Sequence, residues 1–174
     1  MPLLNFANIA PKLGEGVFLA PTAWVIGNVE IGDEVSIFFG STLRGDIEKI
    51  CVGAGSNIQE QCTLHTSHGL ICAVGNQVTV GHGAVLHSCQ IQDLCLIGMN
   101  ATVLDGAIIG ERSIVGAGSL VPMRFTAPPQ SLIYGNPAKF IRSLKPKELE
   151  YLSESAKRYV EKGKEYAGLV PVNM

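Results

Sequence analysis

The chain has 174 residues, a formal net charge of −2 and an apolar fraction of 47%. This length predicts one compact unit with a sizeable core, and the charge excludes the basic surface typical of proteins that bind nucleic acid or anionic lipid. The apolar runs are far shorter than the roughly 18 residues of a membrane span, and the segment MPLLNFANIAPKL lacks the basic and long apolar parts of a secretory signal.

An aliphatic residue recurs at every sixth position along most of the chain. The repeat positions form four runs: Leu19, Val25, Ile31, Ile37, Leu43; Val52, Ile58, Leu64; Val74, Val80, Leu86; and Ile91, Ile97, Val103, Ile109, Val115, Val121. This period fits neither a helix nor a half-buried strand, whose periods are about 3.6 and 2. It predicts short strands joined by tight corners, with each strand giving one side chain to a narrow core.

The pattern resembles the hexapeptide repeat of left-handed parallel β-helices, in which three hexads form one triangular coil. The resemblance implies the handedness and a length of between five and six coils. We therefore predict an all-β fold, a left-handed parallel β-helix of hexapeptide repeats over residues 1–142.

Residues 143–174 have a different pattern. Pro146 stands near a helix start, and an apolar stripe follows on one face: Leu149, Leu152, Ala156, Tyr159 and Val160. This stripe predicts a C-terminal α-helix and tail that pack on the β-helix or on a neighbouring subunit.

Five cysteines occur without the CxxC spacing of a metal or redox motif: Cys51, Cys62, Cys72, Cys89 and Cys95. Their number is odd, which does not suit a disulfide framework. We therefore predict small buried thiols in a reducing compartment, and a cytoplasmic protein.

All four histidines lie in one short window: His65, His68, His82 and His87. Two of them, His65 and His87, directly follow the repeat positions Leu64 and Leu86. With three hexads per coil and four extra residues in the loop after Leu64, this pair leaves one face in adjacent coils, about 4.8 Å apart. Two imidazoles at that spacing can share a metal ion. His82 lies on the preceding face, so we expect it to reach the pair only from a neighbouring subunit of a symmetric trimer.

Four segments together resemble the γ-class carbonic anhydrases: LRGD (43–46), NIQEQCTLH (57–65), VGHGAVLH (80–87) and IYGNPAKFIR (133–142). The likeness extends over nearly the whole chain up to about residue 142. It implies a homotrimeric zinc enzyme that hydrates CO2 reversibly to bicarbonate with a metal-bound hydroxide. It also implies that His65 and His87 bind the metal from one subunit and His82 from its neighbour.

The resemblance implies further roles for other residues. Arg44 and Asp46 would form an ion pair across the trimer contact, Gln59 would hydrogen-bond the metal-bound hydroxide, and Asn57 would lie in the same polar shell. Two residues near the end of the β-helix match residues that line the site from a neighbouring chain: Tyr134 and Asn136. Iron and cobalt also accept three imidazoles, so both stay open beside zinc.

Two features depart from the best-studied γ-class enzymes. Ile47 stands where they carry a glutamate, and the short segment TSHGLICAVG after His65 lacks their proton-shuttle glutamate. Glu60 and His68 are the nearby titratable candidates for moving the proton, although His68 is equally compatible with a simple turn residue. We therefore expect CO2 hydration to be slow.

Two other functions stay open. Hexapeptide folds also carry acyltransferases and thioesterases that act on coenzyme A substrates, and the segment GNPAKFIR does not discriminate between these enzymes and carbonic anhydrases. The three-histidine set favours a metal site, because such acyl transfer usually needs one catalytic histidine and no metal. A non-catalytic trimeric metalloprotein is the other alternative, since the shuttle glutamates are missing.

Overall fold

The hexads fold into short parallel strands, and the computed structural model describes residues 3–169. In chain order the elements are β1 (Leu3–Leu4), β2 (Lys12–Leu13), β3 (Phe18–Leu19), β4 (Trp24–Ile31), β5 (Ser36–Ile37), β6 (Thr42–Val52), β7 (Asn57–Ile58), β8 (Thr63–His65), β9 (Cys72–Val74), β10 (Thr79–Val80), β11 (Val85–His87), β12 (Gln90–Ile91), β13 (Leu96–Ile97), β14 (Thr102–Val103), β15 (Ile108–Ile109), β16 (Ile114–Val115), β17 (Leu120–Val121), β18 (Thr126–Ala127), β19 (Ser131–Gly135), β20 (Ala138–Ser143) and α1 (Pro146–Ala167). They form a parallel β-solenoid of about seven turns with one C-terminal helix, which confirms the predicted fold class.

Three faces surround one core. The first face contains β8, β11, β14 and β17, the second contains β9, β12, β15 and β18, and the third contains β3, β5, β7, β10, β13, β16 and β19. The long strands β4 and β6 pass from the first face to the second, so these two faces share a 12-stranded sheet, whereas the third face belongs to an 8-stranded sheet. Strand β20 adds to the third face by pairing antiparallel with β19.

The repeat positions stack directly on one another inside the solenoid. Leu43, Leu64 and Leu86 lie opposite each other in β6, β8 and β11, and all three are fully buried. Complete burial of such a side chain contributes about 1.5 to 3 kcal/mol to the stability of the fold. The stacks therefore stabilise the solenoid and fix which residues next to them point outward.

The solenoid is longer than the predicted five to six coils. At the N-terminal end Leu3 and Leu13 pair with β4, and at the other end Ala127 and Ile133 occupy further buried repeat positions in β18 and β19. The sequence analysis missed Ala127 and Ile133 because alanine interrupts the β-branched series, and it missed Leu3 because ten residues, not six, separate it from Leu13. Leu13 lies six residues before Leu19 and extends the first run by one position.

Helix α1 packs on the third face, against β3, β5, β7 and β10. Of the predicted stripe, Leu152 and Ala156 are buried, but the small residues Ser155 and Gly163 are buried as well. A Cβ atom at Gly163 would lie 3.0 Å from the Cβ of Ser36, so the helix approaches the strand closely there. Helix α1 is too polar to cross a bilayer, and no other helix occurs in residues 3–169. The predicted tail beyond residue 169 lies outside the described residues.

The cysteines are free thiols within the β-solenoid. Cys62, Cys72, Cys89 and Cys95 are buried, as predicted, whereas Cys51 is only half-buried. Burial raises the pKa of the Cys62 thiol to about 12, and it raises the pKa of Cys95 to about 12 as well. These thiols are therefore core side chains in their protonated form.

Candidate metal centre

His65 and His87 lie side by side on the outside of the first face. They end the paired strands β8 and β11, each one residue after an inward-pointing leucine, so their side chains point outward. The Nδ1 atom of His65 is 3.0 Å from the Nε2 atom of His87, and the ring centroids are 5.1 Å apart. This is the juxtaposition that the repeat spacing predicts.

A carboxylate holds the outer nitrogen of each imidazole. Asp46 Oδ1 is 3.1 Å from His65 Nε2, and Asp105 Oδ1 is 2.6 Å from His87 Nδ1. When each neutral ring donates its single N–H to its carboxylate, the two inner nitrogens present lone pairs to each other. Lone pairs in this arrangement repel unless a cation or a proton lies between them.

The two facing nitrogens, His65 Nδ1 and His87 Nε2, have a spacing that suits a divalent metal ion. Two imidazole ligands at 2.0 to 2.1 Å in tetrahedral geometry are about 3.3 Å apart, close to the 3.0 Å between His65 Nδ1 and His87 Nε2. Carboxylates on the outer N–H groups are the usual partners of metal-binding histidines, because they fix the tautomer and the orientation of the ring. We refer to His65, His87, Asp46 and Asp105 as the paired-histidine half-site.

Asp46 is a charged group at the edge of this half-site. Partial burial raises the pKa of its carboxyl, but hydrogen bonds from Arg44 and His65 outweigh that effect and bring the pKa below its usual value. Arg44 and Asp46 lie on the same side of β6 and pair within one chain. Their pairing across a trimer contact stays a prediction.

Asp105 is the site residue that sequence reasoning missed. It lies 18 residues, or three hexads, after His87, and this spacing is the signal that could have identified it. Burial raises the pKa of its carboxyl, but the hydrogen bond and electrostatic attraction of His87 and the hydroxyls of Ser67 and Ser88 together lower the pKa below the usual value.

His82 lies away from the pair, on the corner that follows β10. Its Nδ1 atom is 2.6 Å from Glu60 Oε2, and about half of its side chain is exposed. Within residues 3–169 of one chain, His, Cys, Asp and Glu side chains do not converge in groups of three or more that could hold a metal. One chain therefore brings together only two of the three predicted ligands.

A row of buried amides lies next to His82. Gln59 Nε2 donates to Asn57 Oδ1 at 3.3 Å, and Asn57 Nδ2 donates to Thr79 Oγ1 at 3.0 Å. A cavity of about 380 Å³ opens between this row, His82 and helix α1. We refer to His82, Gln59, Asn57 and Glu60 as the His82 half-site; it belongs to the third face, whereas the paired-histidine half-site belongs to the first.

The remaining predicted residues are exposed. Tyr134 stacks over Gly116, where an added Cβ would lie 2.3 Å from the ring, and Asn136 occupies the turn between β19 and β20. His68 is at the tip of the turn that Ser67 and Leu70 close after β8. Within residues 3–169 of one chain, none of these three side chains hydrogen-bonds to the paired-histidine half-site.

Comparison with known proteins identifies the family. Residues 88–122 match the family model described as bacterial transferase hexapeptide (six repeats). The chain is 43% identical to γ carbonic anhydrase 2, mitochondrial, of Arabidopsis thaliana, over 91% of this chain and 59% of that protein. It is 44% identical to the "probable carbonic anhydrase" of Methanocaldococcus jannaschii, over 86% of this chain and 94% of that protein. The chain thus spans less than two thirds of the plant relative.

Two further proteins are similar over most of their length. The carnitine operon protein CaiE of Escherichia coli is 38% identical, over 91% of this chain and 81% of that protein. The crystal structure of a Bacillus cereus protein provisionally named an acetyltransferase superposes with a TM-score of 0.93 at 40% identity, over 94% of this chain and 95% of that one. From the repeat, the fold and the identities with carbonic anhydrases over most of its length, the chain belongs to the γ-carbonic anhydrase-like family of hexapeptide-repeat proteins.

Proposed function

We propose that this protein is a metal-dependent enzyme that hydrates CO2 reversibly to bicarbonate, with its active sites between the subunits of a homotrimer. The observation that carries the proposal is the 3.0 Å approach of His65 Nδ1 and His87 Nε2, with both outer nitrogens held by carboxylates. Identities of 43% and 44% with carbonic anhydrases support it.

The third ligand in this proposal is His82 of the partner subunit. His65 and His87 leave the first face, whereas His82 leaves the corner after β10 in the same chain. A three-fold assembly brings one chain's His82 half-site to the next chain's paired-histidine half-site. Three imidazoles leave one coordination position open, as in catalytic rather than structural zinc sites.

A divalent metal bound there supplies the Lewis acidity that lowers the pKa of water to about 7. The chain's own groups orient the ligands and the reactants. Asp46 and Asp105 fix the rings of the pair, and Glu60, 2.6 Å from His82 Nδ1, does the same for the third ligand. The side-chain nitrogen of Gln59 donates a hydrogen bond to Asn57. The side-chain oxygen of Gln59 is therefore available to accept a hydrogen bond from the attacking water.

Two further residues complete the proposed active site between subunits. Tyr134 and Asn136 are exposed in one chain, and we assign them to the wall of a neighbouring chain's site. The proton released in each turnover leaves through Glu60 or His68, both of which reach solvent. The apolar Ile47 offers no such route, so we expect turnover to be slow.

Zinc is the metal we propose, with iron and cobalt as alternatives that the same ligands accept. The substrate is a small molecule, and we assign no role to nucleic acid or membranes. The cytoplasmic location stays a prediction.

A second candidate function is acyl transfer or thioester hydrolysis on a coenzyme A substrate. It is favoured by the similarity to the Bacillus cereus protein and by the cavity of about 380 Å³ along the third face. It leaves the two carboxylate-held imidazoles without a role. A trimeric metalloprotein without catalysis is the third candidate.

The decisive experiment is metal analysis of anaerobically purified protein, followed by a CO2 hydration assay on the same sample. We expect one metal per chain and hydration that His65→Ala abolishes, while the matched variant His68→Ala keeps its metal. Full metal without hydration at any buffer concentration would favour the non-catalytic metalloprotein. Cleavage of acetyl coenzyme A that persists in His65→Ala and after the metal is removed by a chelator would favour acyl transfer or thioester hydrolysis as the function.

A further inference from the structure

We propose that Asp105 is a positioning residue that fixes the tautomer of His87 and thereby sets the metal affinity of the site; this inference rests on the proposed metal centre. Asp105 Oδ1 is 2.6 Å from His87 Nδ1. A carboxylate at that position keeps the ring proton on Nδ1. The lone pair of Nε2 is then directed at His65 Nδ1, 3.0 Å away, where the metal binds.

The fold restrains the Asp105 side chain on several sides. Val103, two residues earlier, is fully buried in β14, and the carboxylate itself is only 18% exposed. Ser67 Oγ donates to the same Oδ1 atom at 3.2 Å. A carboxylate restrained in this way can hold an imidazole in one orientation.

Asp105 also connects His87 to the loop that follows His65. Ser67 donates its backbone N–H to Ser88 Oγ at 2.6 Å, and Ser88 Oγ donates to the carbonyl of Leu70 at 3.0 Å. These bonds anchor both ends of the turn that carries His68. His87 and the loop after His65 thus belong to one hydrogen-bond network. Residues that follow β8, β11 and β14 form this network together.

Asp105 and Asp46 act differently on their histidines. Asp46 shares its charge between the Arg44 guanidinium and His65. Asp105 has no Lys or Arg within salt-bridge distance among residues 3–169, and His87 and serine hydroxyls surround it. Its charge therefore acts mainly on His87, so truncation of Asp105 should weaken metal binding more than it weakens folding.

The test is a cobalt titration of the full-length, metal-free protein, with the d–d absorption as the readout and chelator competition to set the affinity. We expect Asp105→Ala to bind Co²⁺ roughly 10 to 100 times more weakly than the wild type. Asp105→Asn should lose less, because its amide oxygen still accepts from Nδ1. The control is Asp93→Asn, which alters a carboxylate that accepts the Asn76 backbone N–H at 2.8 Å and forms no ion pair with a histidine among residues 3–169; this variant should keep its Co²⁺ affinity.

A second readout needs no metal. In ¹⁵N-histidine spectra of the metal-free protein, the wild type should show a downfield Nδ1–H resonance of His87, and Asp105→Ala should lose it. Affinity within twofold of the wild type together with an unchanged resonance would overturn the role of Asp105. If Asp105→Ala does not fold, Asp105→Leu, which also lacks an acceptor for the Nδ1–H of His87, decides by the same two criteria. Wild-type protein that binds no Co²⁺ would refute the metal centre itself, and with it this role.

Discussion

The Nδ1 atom of His65 and the Nε2 atom of His87 approach to 3.0 Å across the neighbouring strands β8 and β11. Their outer nitrogens are committed to Asp46 and Asp105, so the only position left for a cation is the space between the rings. Two ligands bind a metal ion incompletely. His82 hydrogen-bonds to Glu60 on a different face of the same chain, so we propose that the third ligand comes from a neighbouring subunit.

Arg44→Ala is expected to weaken both the trimer and the metal site. Arg44 neutralises Asp46, which in turn holds His65. If the proposed trimer contact desolvates this pair, a charged Asp46 left there without its partner should cost about 3 to 5 kcal/mol. Light scattering should show a shift towards monomer, and metal analysis should show reduced metal content. An unchanged trimer with full metal would mean that Arg44 is an ordinary surface charge.

If the protein hydrates CO2 as proposed, turnover should depend on buffer, because we expect proton export to limit the rate. The candidates for this step are the exposed His68 and the partly exposed Glu60, while Ile47 contributes no titratable group. General acid–base groups are worth roughly 10²- to 10⁴-fold where they act, so a missing shuttle lowers turnover strongly. We expect the rate of CO2 hydration to rise with imidazole concentration and then to saturate.

The variant His68→Ala identifies the residual route for the proton. It should steepen the buffer dependence and leave the metal content unchanged, because the ring lies at an exposed turn rather than in the paired-histidine half-site. High activity that is independent of buffer in the wild type would contradict the account of slow proton export.

Glu148→Gln is expected to make the protein less sensitive to acid. Bidentate hydrogen bonds from Arg142, at 2.8 Å each, and the backbone N–H of Lys145 lower the pKa of Glu148 to about 2. A carboxyl with a depressed pKa stabilises the fold above its ordinary pKa of 4.5, and this stability is lost as pH falls from there to about 2.

Urea unfolding at pH 7 and pH 3, at one protein concentration, measures this effect. Glu148→Gln should be less stable than the wild type at pH 7 and should lose less stability on acidification. The matched control is Glu150→Gln, an exposed position of the same helix. Equal acid sensitivity of Glu148→Gln and the wild type would show that the Arg142 contact does not stabilise the fold.

The regular part of the fold could be predicted because each coil repeats one physical requirement, an aliphatic side chain every sixth residue. The register that brings His65 opposite His87 follows from this repeat once the loop after Leu64 is allowed for. The terminal coils were missed where Ala127 and the irregular step after Leu3 interrupt the pattern.

Hydrophobic periodicity does not predict how closely two elements approach or which polar side chains meet. Gly163 is buried because α1 approaches Ser36 closely, which a hydropathy pattern does not encode. Asp105 was missed because nothing in its neighbourhood resembles a motif, although its position three hexads after His87 places it beside that residue in the next coil. The division of the site into two half-sites was predictable, since it depends only on which face each repeat position occupies.

The most direct test of the central claim is metal analysis of mixed trimers. His65→Ala and His82→Ala should each abolish metal binding when either variant assembles alone. Mixed trimers formed by co-expression contain contacts at which one chain supplies an intact pair and the other an intact His82; with random assembly about one quarter of the contacts are of this kind. The account predicts that the mixture recovers metal at about that fraction. Mixed trimers without metal, or His82→Ala protein that alone keeps its full metal content, would contradict a site shared between subunits.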